Sequence, residues 1–293
     1  MPCAIAAVAQ PFGGTVAEAF GRIERTLARA RARGAAMVVF PESTLGGYMR
    51  EPVGDEPGPL LPPALDPDGP EIARLVELAG DLVVCAGYTE AGPDRPYSSA
   101  VCVSGDGVLG RHRKVHVPPA ERFAYRAGDG FCAFDTPVGR VGMMLCYDKL
   151  FPEAARSLVL DGAEIVTCMA AWPVDRLNPS ARVGADRQTR HFDVLDVARA
   201  VENQVVWVSS NQTGPWGPLR FLGHAKVVDP DGTVVASTTH RPGMAIGEVD
   251  PRAAVEAARF EIDHVGDRIP HAYAPAATVL PVTESMVEPM SLG

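Results

Sequence analysis

The sequence predicts an α/β fold, and three patterns along the chain indicate it. An apolar run over residues 3–10 is followed by a helical face with apolar residues at spacings of three and four, and then by a buried strand at 37–40. This order is a β-α-β unit, which implies a parallel pair of strands. The same order recurs in the second half of the chain, where a hairpin at 225–237 resembles an earlier one at 97–115. We therefore expect two related halves.

The elements of the first half follow from local signals. Gly34 is predicted to end the first helix, because glycine readily adopts the left-handed conformation found at helix C-termini. The segment 49–70 is rich in Pro, Gly and acidic residues, which indicates a long surface loop that could wall a pocket. The predicted elements are helices over 16–30 and 71–79 and strands over 3–10, 37–40, 82–88, 97–103 and 108–115.

The second half alternates strands and helices and ends in a poorly specified tail. No linker or low-complexity segment separates the halves, so we expect a single domain over residues 1–293, with its core at about 4–250. The predicted elements are strands at 131–134, 140–145, 165–169, 205–210, 225–228 and 233–237, and helices over 152–160, up to 203, and over 251–260.

The composition indicates a globular chain and excludes several classes of partner. Of the 293 residues, 46% are apolar and 22% are charged, which is ordinary for a folded domain. The formal net charge of −9 repels a polyanion, so we expect no nucleic-acid partner. Because the N-terminus lacks a basic segment and no run approaches the roughly 20 apolar residues that span a bilayer, we expect a cytoplasmic protein without a membrane partner. The six cysteines are dispersed, which argues against a disulfide scaffold.

Three ionisable side chains, Glu42, Lys114 and Cys146, lie at the ends of predicted strands, where sites form in sheets of this kind. Each alone has an ordinary explanation as a loop carboxylate, a solvated lysine or a buried thiol. Together they match what a thiol nucleophile needs, which is a base and a cation that stabilises charge on a carbonyl oxygen. The helix predicted shortly after Cys146 would lower the pKa of the thiol through its positive end.

These residues stand in motifs that resemble the carbon–nitrogen hydrolase (nitrilase) superfamily. In chain order the motifs are Phe40-Pro41-Glu42, Arg113-Lys114-Val115-His116, and Cys146-Tyr147-Asp148 followed by Phe151-Pro152-Glu153. Further similarities lie at Glu121, 170–173, 199–203 and 223–225, so the resemblance runs from about residue 4 to 250. The pair Tyr147-Asp148 is similar to the amidase and carbamoylase members, whereas true nitrilases usually carry Cys-Trp-Glu.

The resemblance implies a four-layer α-β-β-α sandwich of two stacked sheets, assembled as a homodimer or larger homo-oligomer, without cofactor or metal. The tail at 251–293 is a candidate for an oligomer interface. The implied activity is hydrolysis of the C–N bond of a small linear amide through a thioester, with release of ammonia or an amine. N-carbamoyl amides, nitriles and acyl transfer to an amine stay open as alternatives, as does a catalytically silent binding module.

The resemblance also implies roles for the site residues. Glu42 would be the general base and acid, and Cys146 the nucleophile. Lys114 and the backbone N–H of Tyr147 would stabilise the oxyanion. Glu121 would help to position Lys114 and the substrate, although an ion pair with Lys114 or the adjacent arginine that only orders the loop is an equal alternative.

Three further side chains are candidates for substrate binding. Tyr48 and Trp172 could line the pocket together with the 49–70 loop, or they could be core aromatics. Lys149 could contact a substrate carboxylate, or it could be an ordinary surface lysine. Ser98 stands where relatives often carry Asn, which puts a local hydrogen bond in doubt.

Other motifs are set aside because their context is wrong. The glycines of 105–110 satisfy G-x-G-x-x-G, but a strand follows them where a dinucleotide site needs a helix. His112 and His116 suggest a metal, yet they lie in a basic run with no further ligand nearby in the sequence. No Gly-x-Ser-x-Gly segment supports a serine nucleophile.

Overall fold

The computed structural model describes residues 1–11, 13–50 and 61–273. Residues 51–60 of the predicted loop and 274–293 of the predicted tail lie outside this range. The strands are β1 (Cys3–Ala9), β2 (Ala35–Val39), β3 (Val83–Glu90), β4 (Tyr97–Ser104), β5 (Gly107–Arg113), β6 (Ala133–Thr136), β7 (Gly139–Leu145), β8 (Ile165–Ala170), β9 (Val206–Asn211), β10 (Thr213–Trp216), β11 (Leu219–Leu222), β12 (Lys226–Val228), β13 (Val234–Ser237) and β14 (Gly243–Val249). The α-helices are α1 (Val16–Arg31), α2 (Pro70–Ala79), α3 (Pro152–Leu160), α4 (Arg187–Asn203) and α5 (Pro251–Arg259).

The strands of the two halves follow the same plan. The order is β5-β4-β3-β2-β1-β9-β8-β7-β6, with β14 added beside β1 and β12 beside β9. In each half the central strands are parallel, as in β1-β2-β3 and β7-β8-β9, and the outer strands are antiparallel. The single pair Ala9 and Asn211 joins β1 to β9. The predicted relation between the halves therefore holds for their strand pairing.

The buried apolar residues lie in layers. Inward-facing residues of the two halves pack against each other in one cluster that includes Ile5, Met37, Val39, Val141, Met143 and Val206. Helices α1 and α2 cover the outer face of the first half, and α3 and α4 cover that of the second. Helices α1, α2 and α3 each bury a mainly apolar face, as the period of 3.6 residues allows, whereas the buried face of α4 also carries Asp196 and Arg199. The result is the expected α-β-β-α sandwich.

Several elements differ from the predictions. The β10–β11 hairpin and strand β14 were not expected, because their short segments contain glycine or proline and show little alternation of apolar residues. Strand β5 ends at Arg113 rather than near residue 115. Lys114 still donates its backbone N–H to the carbonyl of Ser98 (2.8 Å), and the chain then leaves the sheet. Gly105 and Gly107 lie at the predicted hairpin turn between β4 and β5, and Gly110 lies within β5 opposite Cys102.

The helices begin and end at recognisable signals. Thr15 and Glu18 form a reciprocal capping box at the start of α1, and Pro152 occupies the first turn of α3. None of the helices in the described ranges combines the length and apolar character that crossing a bilayer requires.

Candidate active site

The structure brings Glu42 and Lys114 into direct contact. Glu42 follows β2 and Lys114 follows β5, so both leave the sheet at strand ends. Lys114 Nζ lies 2.9 Å from Glu42 Oε1 and 2.9 Å from Glu121 Oε2. The exposed fractions of Glu42, Lys114 and Glu121 are 1%, 0% and 4%. One cation is therefore shared by two buried carboxylates.

The Glu42 carboxylate is fixed on both oxygens. Ser98 Oγ donates to Oε1 at 3.0 Å, and the backbone N–H of Ala171 donates to Oε2 at 3.0 Å. The serine therefore makes a hydrogen bond at the position where the sequence left one in doubt. The carbonyl of Glu42 accepts from Gln212 Nε2 (3.1 Å), which ties the backbone to the second half of the chain.

Gly87 on β3 lies against the backbone of Glu42. A Cβ atom at this position would come within 2.7 Å of Glu42 Cα and of the backbone nitrogen of Ser43, closer than real contacts of this kind. Ser43 itself has a left-handed backbone with φ of +57°. Glycine at position 87 is thus required for the close approach that seats Glu42.

Burial and charge set the protonation of this pair. Burial raises the pKa of Glu42, Lys114 lowers it, and Glu121 raises it, with a net increase. Burial alone would lower the pKa of Lys114, but the Glu121 and Glu42 carboxylates outweigh it and raise that pKa well above its ordinary value. Lys114 thus stays charged, and Glu42 is a stronger base than an exposed glutamate.

Cys146 directly follows β7 in a strained conformation. Its φ is +44°, a region that non-glycine residues rarely occupy and that is enriched at functional sites. Its partly buried side chain packs against an apolar cluster that includes Trp172 and Phe192. Cys146 therefore lies at the end of a parallel strand, as the sequence predicts, and its backbone there is strained.

The expectation of a lowered thiol pKa at Cys146 is wrong. Burial, together with the carboxylate of Glu42, raises the pKa of this thiol well above its ordinary value, and Lys114 opposes the shift only in part. The segment after Cys146 is a five-residue 3₁₀ turn, Cys146–Leu150, and α3 begins only at Pro152. The free thiol is therefore protonated at neutral pH and needs a base to react.

Asp148 holds the turn that carries Cys146. Its Oδ2 accepts from the backbone N–H of Leu145 (3.1 Å) and lies 3.1 Å from His112 Nε2. Its Oδ1 accepts from the backbone N–H of His116 (2.8 Å) and lies 2.9 Å from His116 Nδ1. One buried carboxylate thus links the residue before Cys146 to the residues two before and two after Lys114.

The two histidines therefore bind a carboxylate of the protein. Although burial opposes it, these hydrogen bonds hold the pKa of Asp148 well below its usual range. No group of three or more His, Cys, Asp or Glu side chains in the described part of the chain is arranged to hold a metal ion.

Tyr48 and Lys114 fix Glu121 from two sides. The Tyr48 hydroxyl donates to Glu121 Oε1 at 2.5 Å, while Lys114 occupies Oε2. Burial and the charge of Glu121 raise the pKa of Tyr48 well above its ordinary value. The adjacent Arg122 instead donates Nε to the carbonyl of Val117, so of the two expected ion pairs only that with Lys114 forms.

Trp172 is buried and belongs to the apolar cluster against which Cys146 packs. Its exposed fraction is 7%, its Nε1 donates to Gln188 Oε1 (2.9 Å), and its backbone N–H donates to Asn211 Oδ1 (2.8 Å).

Tyr147, the residue after Cys146, lines a cavity of about 650 Å³ together with His116 and Tyr125.

Lys149 is not a surface residue. It is fully buried, its Nζ lies 2.8 Å from Asp196 Oδ1, and the same ammonium stands 3.2 Å above the Phe192 ring. Asp196 also binds Lys226 Nζ at 2.6 Å. The structure therefore assigns the ammonium of Lys149 to a second buried ionic cluster, and this geometry does not support a contact with a substrate carboxylate.

Helix α4 holds the backbone of the same turn. Arg199 Nε donates to the carbonyl of Lys149 (3.0 Å), and its NH2 donates to that of Leu150 (3.3 Å). Sequence reasoning missed Asp196 and Lys226, since their partners are far away in the chain. The sequence indicated 199–203 only as a similarity to the family, although Arg199 of that segment donates hydrogen bonds to the turn that begins at Cys146.

A comparison with protein-family models matches residues 4–259 to the model described as carbon-nitrogen hydrolase. The chain belongs to this family. Curated relatives include a nitrilase of Pyrococcus abyssi, 32% identical over 79% of this chain and 83% of the relative. The N-carbamoylputrescine amidase of Arabidopsis thaliana is 30% identical over 83% and 81%, and an (R)-stereoselective amidase of Pseudomonas sp is 31% identical over 79% and 79%.

Two solved structures superimpose on this chain over nearly its whole length. A carbon-nitrogen hydrolase from Helicobacter pylori G27 superimposes with a TM-score of 0.79 at 22% identity, covering 93% of this chain and 97% of the other. An amidase from Nesterenkonia sp. gives a TM-score of 0.72 at 23% identity, covering 92% and 94%. The likeness extends over nearly the whole fold.

Proposed function

We propose that this protein is a cysteine-dependent hydrolase that cleaves the C–N bond of a small linear amide through a thioester and releases ammonia or an amine. The observation that carries the proposal is the buried ionic cluster of Glu42, Lys114 and Glu121, whose charges all act on the thiol of the strained Cys146. A structural ion pair would not need a neighbouring thiol in a left-handed conformation. The arrangement supplies a base, a cation and a nucleophile at one edge of the sheet.

The first half of the reaction forms the acyl-enzyme. Glu42, whose pKa is raised by burial, accepts the proton of the Cys146 thiol as Sγ attacks the amide carbon. The carbonyl oxygen gains negative charge, which Lys114 and the backbone N–H of Tyr147 stabilise. The tetrahedral intermediate then collapses, and Glu42 returns the proton to the departing nitrogen. The products of this step are the thioester on Cys146 and ammonia or an amine.

The second half releases the acid. Glu42, again a carboxylate, removes a proton from water as the water oxygen attacks the thioester carbon. The C–S bond breaks, and the proton returns to the sulfur. Glu121 and Tyr48 keep Lys114 in place through both halves, because Glu121 accepts from both.

Amides and N-carbamoyl compounds are the substrate classes that we favour. Relatives named as amidases, including two that share 30% and 31% identity with this chain, support this choice, and so does the Tyr147-Asp148 pair after the nucleophile. Nitriles remain a second candidate because a relative with 32% identity is named a nitrilase.

We also propose that residues 1–293 form one cytoplasmic domain that assembles into a homodimer or larger homo-oligomer through its C-terminal tail. Four exposed apolar side chains after α5 support an interface between copies of the chain in this segment. The exposed fractions are 87%, 61%, 52% and 53% for Phe260, Ile262, Ile269 and Tyr273. Light scattering of the full chain and of Phe260→Ser tests it. An unchanged monomeric mass in both would contradict it.

Replacing the cysteine tests the mechanism. With a panel of amides, N-carbamoyl compounds and nitriles, we expect Cys146→Ala to abolish ammonia release. The matched variant Cys168→Ala should retain it, since Cys168 is buried within β8. Intact-mass measurement should show an acyl adduct that is absent in Cys146→Ala and whose mass identifies the acyl group. Ammonia release that survives in Cys146→Ala would overturn the mechanism, and faster adduct decay with added amines would favour acyl transfer.

A further inference from the structure

The segment after β8 carries a backbone donor that faces both the candidate base and the candidate nucleophile. The N–H of Ala171 donates to Glu42 Oε2 at 3.0 Å, while Lys114 and Ser98 donate to the other oxygen. Burial is the largest influence on the pKa of the Cys146 thiol and raises it, whereas a hydrogen bond from the same Ala171 N–H acts to lower it. One donor is therefore within hydrogen-bond reach of the two groups between which the mechanism moves a proton.

The end of β9 fixes the peptide groups around this donor. The carbonyl of Ala170 accepts from the backbone N–H of Gln212 at 3.1 Å. Asn211 Oδ1 accepts from the backbone N–H of Trp172 at 2.8 Å, and Asn211 Nδ2 donates to the carbonyl of Trp172 at 3.3 Å. Two neighbouring residues thus hold three successive peptide groups, and the Ala171 N–H belongs to the first of them.

The Asn211 side chain does more than satisfy a buried carbonyl. Asn211 is fully buried where the two halves meet, opposite Ala9 of β1. The carbonyl of Trp172 also accepts from the backbone N–H of Leu222 at 3.1 Å, so strand β11 already satisfies that oxygen. The amide of Asn211 contacts the N–H and the carbonyl of one residue, which fixes the rotation of the backbone directly after Ala171.

We propose that Asn211 is a positioning residue that aims the Ala171 N–H at Glu42 and Cys146, so that one donor stabilises the negative charge before and after the proton moves. The proposal rests on the proposed function. In this step the S–H bond of Cys146 breaks with its electron pair left on sulfur, and the proton forms an O–H bond on Glu42. The charge moves from the carboxylate to the sulfur, and a fixed donor within reach of both atoms requires no reorganisation.

An ester at position 171 tests the donor directly. Lactic acid in place of Ala171 turns the peptide N–H into an ester oxygen and keeps the methyl side chain. A donor to an anion favours the charged form, so its loss should raise the pKa of Glu42 and that of Cys146. The acidic limb of kcat/KM for an amide should move up by about one to two pH units, and alkylation of Cys146 by iodoacetamide, followed by peptide mass spectrometry, should require a higher pH.

The matched control is the same exchange at Ala254. The N–H of Ala254 donates to the carbonyl of Asp250 at 2.8 Å in α5, so this ester also removes one backbone hydrogen bond. Both pH profiles should remain those of the wild type.

Asn211→Leu tests the positioning side chain. Leucine has a similar volume and removes both hydrogen bonds to Trp172, so the Ala171 N–H is present but no longer held in direction. We expect both profiles to shift as in the ester variant but less, with kcat lowered more than KM is changed. The matched control Asn203→Leu replaces an equally buried asparagine, whose Nδ2 donates to the carbonyl of Arg199 at 3.0 Å. It should lower thermal stability without moving either profile.

Ser98→Ala separates this role from an effect on Glu42 alone. Ser98 donates to the other oxygen of Glu42, so its loss should shift the activity profile and leave the alkylation profile of Cys146 unchanged.

The failures of the two proposals are distinguishable. If amides are hydrolysed and Cys146 is acylated, but the ester or a folded Asn211→Leu has wild-type profiles, this inference is wrong and the hydrolase stands. Where Asn211→Leu does not fold, the ester decides. If the wild type releases no ammonia from any amide and Cys146 forms no adduct, the proposed function falls and this role falls with it.

Discussion

The Ser98 hydroxyl donates to the same carboxylate oxygen of Glu42 that accepts the Lys114 ammonium. The serine hydrogen bond lowers the pKa of Glu42 against the upward effect of burial, which is the largest influence on this carboxyl. Glu42 must be ionised to act as a base, so Ser98 helps to set the lowest pH at which the site can work.

Ser98→Ala should move the acidic limb of the pH profile of kcat/KM to higher pH. Loss of this hydrogen bond lets the pKa of Glu42 rise further, so the base becomes protonated earlier as the pH falls. We expect a shift of about one to two units, since a hydrogen bond to a charged group is worth roughly 1.5–3 kcal/mol and one pKa unit corresponds to about 1.4 kcal/mol. Steady-state kinetics across pH measure it.

Ser99→Ala is the matched control for this shift. Ser99 is the next residue, and its buried hydroxyl has no hydrogen-bond partner in the part of the chain that the structure describes. Its removal should leave the acidic limb in place. Equal shifts in both variants would mean that Ser98 does not act on Glu42.

Lys114→Met should lower ammonia release by about 10²–10³-fold, as loss of one oxyanion donor typically does. It should also destabilise the fold by about 3–5 kcal/mol near neutral pH, because Glu42 and Glu121 would remain buried without their cation. Urea unfolding measures the second effect. Adding Glu121→Gln to this variant should recover stability without recovering activity, and recovery of both would contradict the role of Lys114.

Asp148→Asn should destabilise the protein by about 3 kcal/mol at neutral pH. An asparagine has one acceptor oxygen, so its NH₂ would face the backbone N–H of either Leu145 or His116. Because the folded pKa of Asp148 is lowered, its contribution is complete above the unfolded value of about 4 and is lost as the pH falls below it. The difference in unfolding free energy between wild type and variant should therefore shrink in acid, and a constant difference would disprove this role.

Lys149→Met should reduce stability and leave KM unchanged. Asp196 would keep Lys226 as a partner, so the expected loss is that of one charged hydrogen bond, about 1.5–3 kcal/mol. Thermal unfolding and the KM for carboxylate-bearing amides check the two halves of this prediction. A higher KM at unchanged stability would instead restore Lys149 as a substrate contact.

Strong local patterns made part of the molecule predictable. The positions of Glu42 and Cys146 at strand ends followed from apolar runs that stop at a charged or reactive residue, whereas Lys114 lies in a basic run near the end of the strand predicted over 108–115. The alternation of helical and strand periods in turn indicated an α/β fold. The residues that make up each of these patterns lie close together in the chain, so the patterns can be recognised in the sequence alone.

The remaining features depend on partners that are distant in the chain. His112 lies 36 residues before the carboxylate of Asp148, and Lys149 lies 47 residues before Asp196. A lysine without a visible partner is assigned to the surface by default, which is why the burial of Lys149 was not expected. The raised pKa of Cys146 was missed because burial is a property of the assembled layers.

The site also depends on the absence of a side chain at Gly87, where a Cβ atom would collide with the backbone of Glu42. In a saturation-mutagenesis library, codon 87 should tolerate almost nothing, since even alanine would push Glu42 out of reach of its partners. Position 87 would therefore be as intolerant of substitution as Cys146 and Glu42, although glycine carries no reactive group. Engineering a new substrate range into this protein should therefore leave strand β3 untouched and draw its diversity from the cavity walls.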